Sequence, residues 1–118
     1  MTMFNEQCTV INHYIDAADI DQYQETTLNG VCWQKSSGIR AETGGYGSAS
    51  TVLVVIPRSI AEADRYLPAE AFDALADKTG RWTLQEGDKL TCRGEEMTIT
   101  AVSDHAYGAM AHWEVGGV

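Results

Sequence analysis

The sequence is short of basic residues and has no long hydrophobic run. Eight lysines and arginines stand against 17 aspartates and glutamates, a formal net charge of −9 over 118 residues. That balance disfavours direct attraction to nucleic-acid phosphates, because such binding draws mainly on Lys/Arg contacts. It suits solubility, and equally a surface past which DNA slides without sticking. No apolar run approaches ~20 residues, so no transmembrane helix and no membrane association are predicted. The first residues, MTMFNEQCTV, lack a basic region followed by an apolar core. No signal peptide is therefore expected, and synthesis in the cytoplasm follows. The three cysteines, Cys8, Cys32 and Cys92, lie far apart, with no CxxC and no Cys/His spacing suited to zinc. They predict reduced, buried thiols, not a disulfide framework.

Catalytic signatures are also missing. There is no HExxH, no GxSxG elbow and no Gly-rich phosphate loop followed by lysine. His13, His105 and His112 read as packed or surface side chains. The acidic cluster Asp16, Asp19, Asp21 and Glu25 lacks the glycine that a calcium loop places at its sixth position, so a solvated turn is expected. Trp33, Trp82 and Trp113 fall in three separate strand-like segments. Base-stacking platforms flank such rings with arginine or lysine, whereas Trp113 is followed by Glu114, so core packing is the better account. Neither an enzyme nor a cofactor or metal is expected from these residues.

What is present is β-strand punctuated by turns. Cys8–Ile15, Tyr23–Gln34, Thr51–Ile56, Trp82–Leu84, Lys89–Arg93, Met97–Ser103 and Ala109–Val115 read as strands, rich in residues that suit a pleated, half-buried surface. TVLVVI at Thr51–Ile56 is apolar enough to be buried on both faces. Asn29-Gly30 falls inside a long strand and is expected to be a bulge that lets the strand curve. Pro68 opens one short helix, Ala69–Ala76, with Phe72, Leu75 and Ala76 as its apolar stripe. Short strands at regular spacing predict a mainly β fold in one domain, residues 1–118: a small antiparallel barrel or sandwich with one short helix.

Between the second and third strands lies SSGIRAETGGYGSAS, Ser36–Ser50, with four glycines and four serines in fifteen residues. Compact domains favour connections of a few residues, and loops this long are usually functional or disordered. A flexible functional loop is expected here. Its candidate residues run from Ser37, Gly38, Ile39 and Arg40 through Ala41, Glu42, Thr43 and Gly44 to Gly45, Tyr46, Gly47 and Ser48.

Several phrases carry a resemblance. INHYID at Ile11–Asp16, TTLNGVCWQ at Thr26–Gln34 (a strand ending in Gly-Val-x-Trp), WTLQEGD at Trp82–Asp88, EMTITAVSDHAYG at Glu96–Gly108 and HWEVGG at His112–Gly117 are similar to a family of small structural proteins of tailed phages and prophages, often labelled minor capsid proteins. The similarity covers most of the chain, with the acidic turn and the Gly-rich stretch as its most variable parts.

The resemblance implies a virion protein of the neck, between portal and tail tube. Connector proteins there include adaptors, stoppers that close the filled head, and tail terminators. Adaptors are mostly helical, which this sequence is not. Stoppers are small β-barrels with a long loop between the second and third strands, which matches the strand count here. The first implied partner is the chain itself, in a homo-oligomeric ring of roughly six or twelve copies. Portal or adaptor would lie on the head side and tail terminator or tail tube on the tail side. Packaged DNA would pass the channel without sequence-specific binding. Arg40, Glu42 and Tyr46 would lock neighbouring loops together across the channel. The terminal segment His112, Trp113, Glu114 and Val115 could pair with a strand of a partner ring, or close the barrel internally. A tail terminator is the alternative within the same resemblance, and a small monomeric nucleic-acid-binding barrel the alternative outside it.

Overall fold

In the computed structural model of the chain, residues 4–42, 45–105 and 110–118 are described, the side chains of 36–51 excepted. The described residues form six strands: β1 (Glu6–Ile15), β2 (Asp21–Glu42), β3 (Gly45–Pro57), β4 (Lys89–Cys92), β5 (Glu95–His105) and β6 (His112–Gly117). Every pairing is antiparallel, and the order β1-β2-β3-β6-β5-β4 closes on itself as a barrel. No helix among the described residues is long and apolar enough to cross a membrane.

Alternation sets the inside of the barrel, since successive side chains of a strand point to opposite faces. Cys8, Val10 and Asn12 of β1 face inward, as do Val52, Val54 and Ile56 of β3 and Trp113 and Val115 of β6. The expectation that TVLVVI is buried on both faces does not hold. Leu53 is 38% exposed, because a barrel strand covers only its inner face and nothing packs fully over the outer one. On β5, Met97 and Ile99 face inward, but the pairing slips between Ile99 and Ala101. The extra residue, Thr100, reverses the alternation, so Ala101 is exposed and Val102 packs against the core.

Gly30 is the bulge that its strand context predicts. Gln7 pairs with Asn29 and Glu6 with Val31, which leaves Gly30 unpaired at φ +90°. Only glycine takes that conformation without steric cost. The bulge lies where β2 changes partners: up to Val31 it pairs with β1, and from Cys32 onward with β3. Buried Glu62 supports it by accepting from the Asn29 backbone N–H at 3.0 Å and from Asn29 Nδ2 at 3.3 Å.

Between β3 and β4 the chain leaves the barrel. It forms one 3-10 turn (Ala61–Arg65) and one α-helical turn, α1 (Ala69–Asp73). The helix is shorter than the predicted Ala69–Ala76: Phe72 is buried, but Leu75 is half-buried and Ala76 exposed, so there is no apolar stripe to extend it. Trp82–Leu84 is not a strand either. Trp82 makes a single bridge to Tyr66, and the next residue is held by a side chain instead of a ladder. Asn12, fully buried, donates from Nδ2 to the Thr83 carbonyl at 2.8 Å and to Asp88 Oδ2 at 3.0 Å. Its Oδ1 accepts from the Thr83 N–H at 3.1 Å.

The tryptophans pack as expected. Trp82 and Trp113 meet edge to face at 5.6 Å, and Tyr66 lies 5.0 Å from Trp82 and 4.5 Å from Trp113. Each such ring buries enough surface for about 4–6 kcal/mol of transfer free energy. The Trp82 indole N–H donates to the Glu62 carbonyl at 2.9 Å, so its polar edge is satisfied too. All three cysteines are buried and free. Burial above all, and then the adjacent Cys92, pushes the Cys8 thiol well above its ordinary range, which makes it unreactive. At the C-terminal end, Gly117 admits no side chain: a Cβ there would lie 2.4 Å from the Thr98 carbonyl oxygen.

Candidate functional site

The stretch expected to be a loop is, in its described backbone, a β-ribbon. β2 and β3 stay paired from Cys32↔Val55 out to Glu42↔Gly45. Glycine and serine lower strand propensity but do not prevent ladder bonds, and each residue here finds its partner directly across a single hairpin. The barrel ends well before the ribbon does. β1 leaves β2 at Val31, and β6 leaves β3 at Val52, paired with Gly117. Beyond that point Ser36–Glu42 pairs only with Gly45–Thr51. Seven residues at ~3.4 Å each give a projection of roughly 24 Å. The radius of gyration, 15.4 Å, exceeds the roughly 13.5 Å expected of a compact chain of this length, in keeping with a projection.

Among the candidate plug residues, Ser37, Gly38, Ile39, Arg40, Ala41 and Glu42 stand on one ribbon strand and Gly45, Tyr46, Gly47 and Ser48 on the other. Register sets Arg40 opposite Gly47 and Ala41 opposite Tyr46. Thr43 and Gly44 lie outside the described residues. Among the described residues each ribbon strand has a neighbour on one side only, so the ribbon carries two open backbone edges.

The second candidate surface needs correction. His112, Trp113, Glu114 and Val115 do not offer a free edge to a partner strand. β6 lies between β3 and β5, with Glu114 opposite Val55 on one side and Ser103 on the other. Trp113 and Val115 point into the core. The terminal segment closes the barrel, which is the other of the two readings. Arg58 covers this region: it stacks over Trp113 at 4.2 Å from the ring centroid and pairs with Asp104.

The outward side chains of β6 form a cluster that spacing alone does not reveal. His105 and His112 face each other directly across β5 and β6. Their rings stack at 4.8 Å with an interplanar angle of 10°. Glu114, two residues along the same face, lies 3.0 Å from His105 Nε2 through Oε2 and 3.6 Å from His112 Nε2 through Oε1. His112 Nδ1 is 2.8 Å from the Met110 carbonyl oxygen. The signal in the sequence is the alternate spacing of His112 and Glu114. The third member, His105, becomes visible only once the β5–β6 register is known.

The acidic segment is a turn. Asp16 Oδ1 accepts from the backbone N–H of Ala18 at 2.8 Å and of Ile20 at 3.0 Å, and Oδ2 accepts from Gln22 Nε2 at 2.8 Å. These bonds, the Ile20 amide first, hold the Asp16 carboxyl below its ordinary range. Asp19 takes the left-handed conformation, φ 60°, that aspartate tolerates in turns. Asp21 pairs with His13 at 2.8 Å. Asp16 and Asp21 are thus engaged in turn and strand contacts, and among the described residues the four acids form no metal-ligand group.

A family profile matches residues 2–118, described as a family of unknown function, DUF6751. The chain belongs to this family. Neither curated proteins nor solved structures yield a significant match. The family's description carries no activity.

Proposed function

We propose that this DUF6751 protein is a structural component of a tailed-phage head-to-tail connector, a stopper or head-completion ring protein. The observation that carries the reading is the ribbon. A closed barrel has no need of residues 36–51 for its own hydrogen bonding, yet the chain projects them roughly 24 Å beyond its last barrel pairing. An isolated two-stranded ribbon is marginal in water, so its natural place is against a partner. In a ring, each copy meets its two neighbours through different surfaces, and projecting ribbons converge on the shared axis. Open ribbon edges can pair with a neighbour's ribbon, which would close the channel by main-chain bonds and not by any one side chain.

The acidic charge suits a channel past which DNA moves, since it offers little for phosphate to hold. Burial of Trp33, Trp82 and Trp113 removes the stacking platform that the nucleic-acid-binding alternative requires. Tail termination remains the alternative within the neck, and the position of the ring separates the two.

Imaging particles from a lysate that carries an epitope-tagged copy of the chain tests the proposal. A stopper appears as a ring between portal and tail tube with ribbons directed at the axis. A ring at the top of the tail tube supports termination instead. Tagged protein recovered only outside particles, as free monomer, would sink both.

A further inference from the structure

We propose that His105, His112 and Glu114 form a binding site for a divalent transition ion of the zinc class on the outer face of the β5–β6 hairpin. The proposal does not depend on the connector reading. It rests on the convergence of three metal-ligating side chains on one face of the sheet. The Met110 carbonyl can only accept, so His112 Nδ1, 2.8 Å away, must donate to it. In a neutral imidazole the other nitrogen, Nε2, is then an acceptor. That nitrogen faces Glu114 Oε1, also an acceptor, at 3.6 Å, while the other carboxylate oxygen meets His105 Nε2 at 3.0 Å.

The geometry favours a metal. The three ligand atoms lie within 4.8 Å of one another. Zn–N and Zn–O bonds of about 2.0–2.1 Å place tetrahedral ligands about 3.4 Å apart, so a modest closing of the three side chains would let them share an ion. The imidazoles are stacked almost parallel, so one ring must turn out of the stack before both nitrogens can address one ion. His105 is exposed and free to turn. The contact from His112 Nδ1 to a backbone carbonyl is the outer-shell bond that metal-binding histidines usually carry, and it fixes which nitrogen is offered.

Two imidazoles and one carboxylate suit zinc, cobalt, nickel or copper; calcium and magnesium prefer all-oxygen sites. Three protein ligands leave a position for water, so the ion would be exchangeable. By joining β5 to β6 it would clip the end of that hairpin.

Calorimetric titration of the full chain with ZnCl2 near neutral pH tests this, alongside His105→Gln and Glu114→Gln, both outside the core. One ion per chain is expected, with affinity reduced by about tenfold or more in each variant. Titration with CoCl2, followed by NMR, should broaden the ring protons of His105 and His112 before those of His13. If zinc does not bind, or binds all three proteins equally well, the proposal fails. Broadening centred on His13 or the cysteines would overturn it as well.

Discussion

The barrel body and the ribbon are continuous stretches of the same two strands, yet they are held by different physics. Within the body, β3 has ladder partners on both sides, β2 and β6, and its inward residues meet a core that includes three tryptophans. A few residues further along, the same strand has one partner and no second layer. Local stability follows buried contacts and paired edges, so the opening free energy should drop sharply where β6 ends, at Val52↔Gly117. The body is where a substitution costs stability. The ribbon is where it should cost function and little else.

Trp82→Ala should widen that contrast most. Trp82 is fully buried against Tyr66 and Trp113 and ties the excursion between β3 and β4 to the core. Truncation of a buried tryptophan costs about 3–5 kcal/mol, a large part of the stability of a domain this size. Urea unfolding followed by circular dichroism measures it, and a loss below about 1 kcal/mol would mean the aromatic cluster is not the centre of the fold. Asn12→Ala comes next. It leaves the Thr83 N–H and carbonyl without their partner and removes a donor to Asp88. Orphaned buried groups cost about 1–3 kcal/mol each before relaxation, so a net loss of about 2–3 kcal/mol is expected by the same measurement.

The ribbon should respond in the opposite way. Replacing residues 38–49 by Asn-Gly, a sequence suited to a tight hairpin turn, should shift the unfolding free energy by no more than about 0.5 kcal/mol, since no barrel pairing is lost. Hydrogen exchange on the intact protein gives an independent check. Amides of Gly38–Glu42 should exchange through low-energy openings, and those of Val10 and Val54 only on global unfolding. If ribbon and barrel amides exchange together, the two regions are one cooperative unit and the distinction fails.

The sequence reveals the barrel more readily than the site, for reasons visible in particular residues. Alternation and β-branched content mark most strands, and Gly30 can be read as a bulge because both flanks keep strand character. The Gly-rich segment reads as a loop because composition reports propensity, whereas pairing there is set by the register that Cys32↔Val55 imposes on the residues beyond it. Trp82–Leu84 reads as a strand because its residues suit one; Thr83 is held instead by the side chain of Asn12, seventy-one positions away. The histidine cluster needs the β5–β6 register, a long-range fact that no local pattern contains. Taken one at a time, its two histidines carry no signal.

A last and smaller contrast sets two aspartates against each other. Asp88 lies in the body, where burial, partly offset by bonds from Asn12 and the His13 N–H, raises its carboxyl above the ordinary value of 3.8. Asp16 lies in the exposed β1–β2 turn, where hydrogen bonds lower its carboxyl below that value. Linkage gives the two opposite signs. Because folded Asp88 holds its proton to higher pH than the unfolded chain does, its contribution is fully present below 3.8 and is lost as pH rises through its raised folded value. Asp16 contributes stability above 3.8, and that is lost as pH falls through its lowered folded value. Asp88→Asn should therefore gain on the native protein as pH rises from about 3.5 to 6, whereas Asp16→Asn should fall behind it over the range where Asp16 ionises. Urea midpoints measured across that range decide it. Parallel curves for Asp88→Asn and the native protein would show that the buried carboxyl titrates as though exposed, and that the body is wetter there than the Asn12 clamp implies.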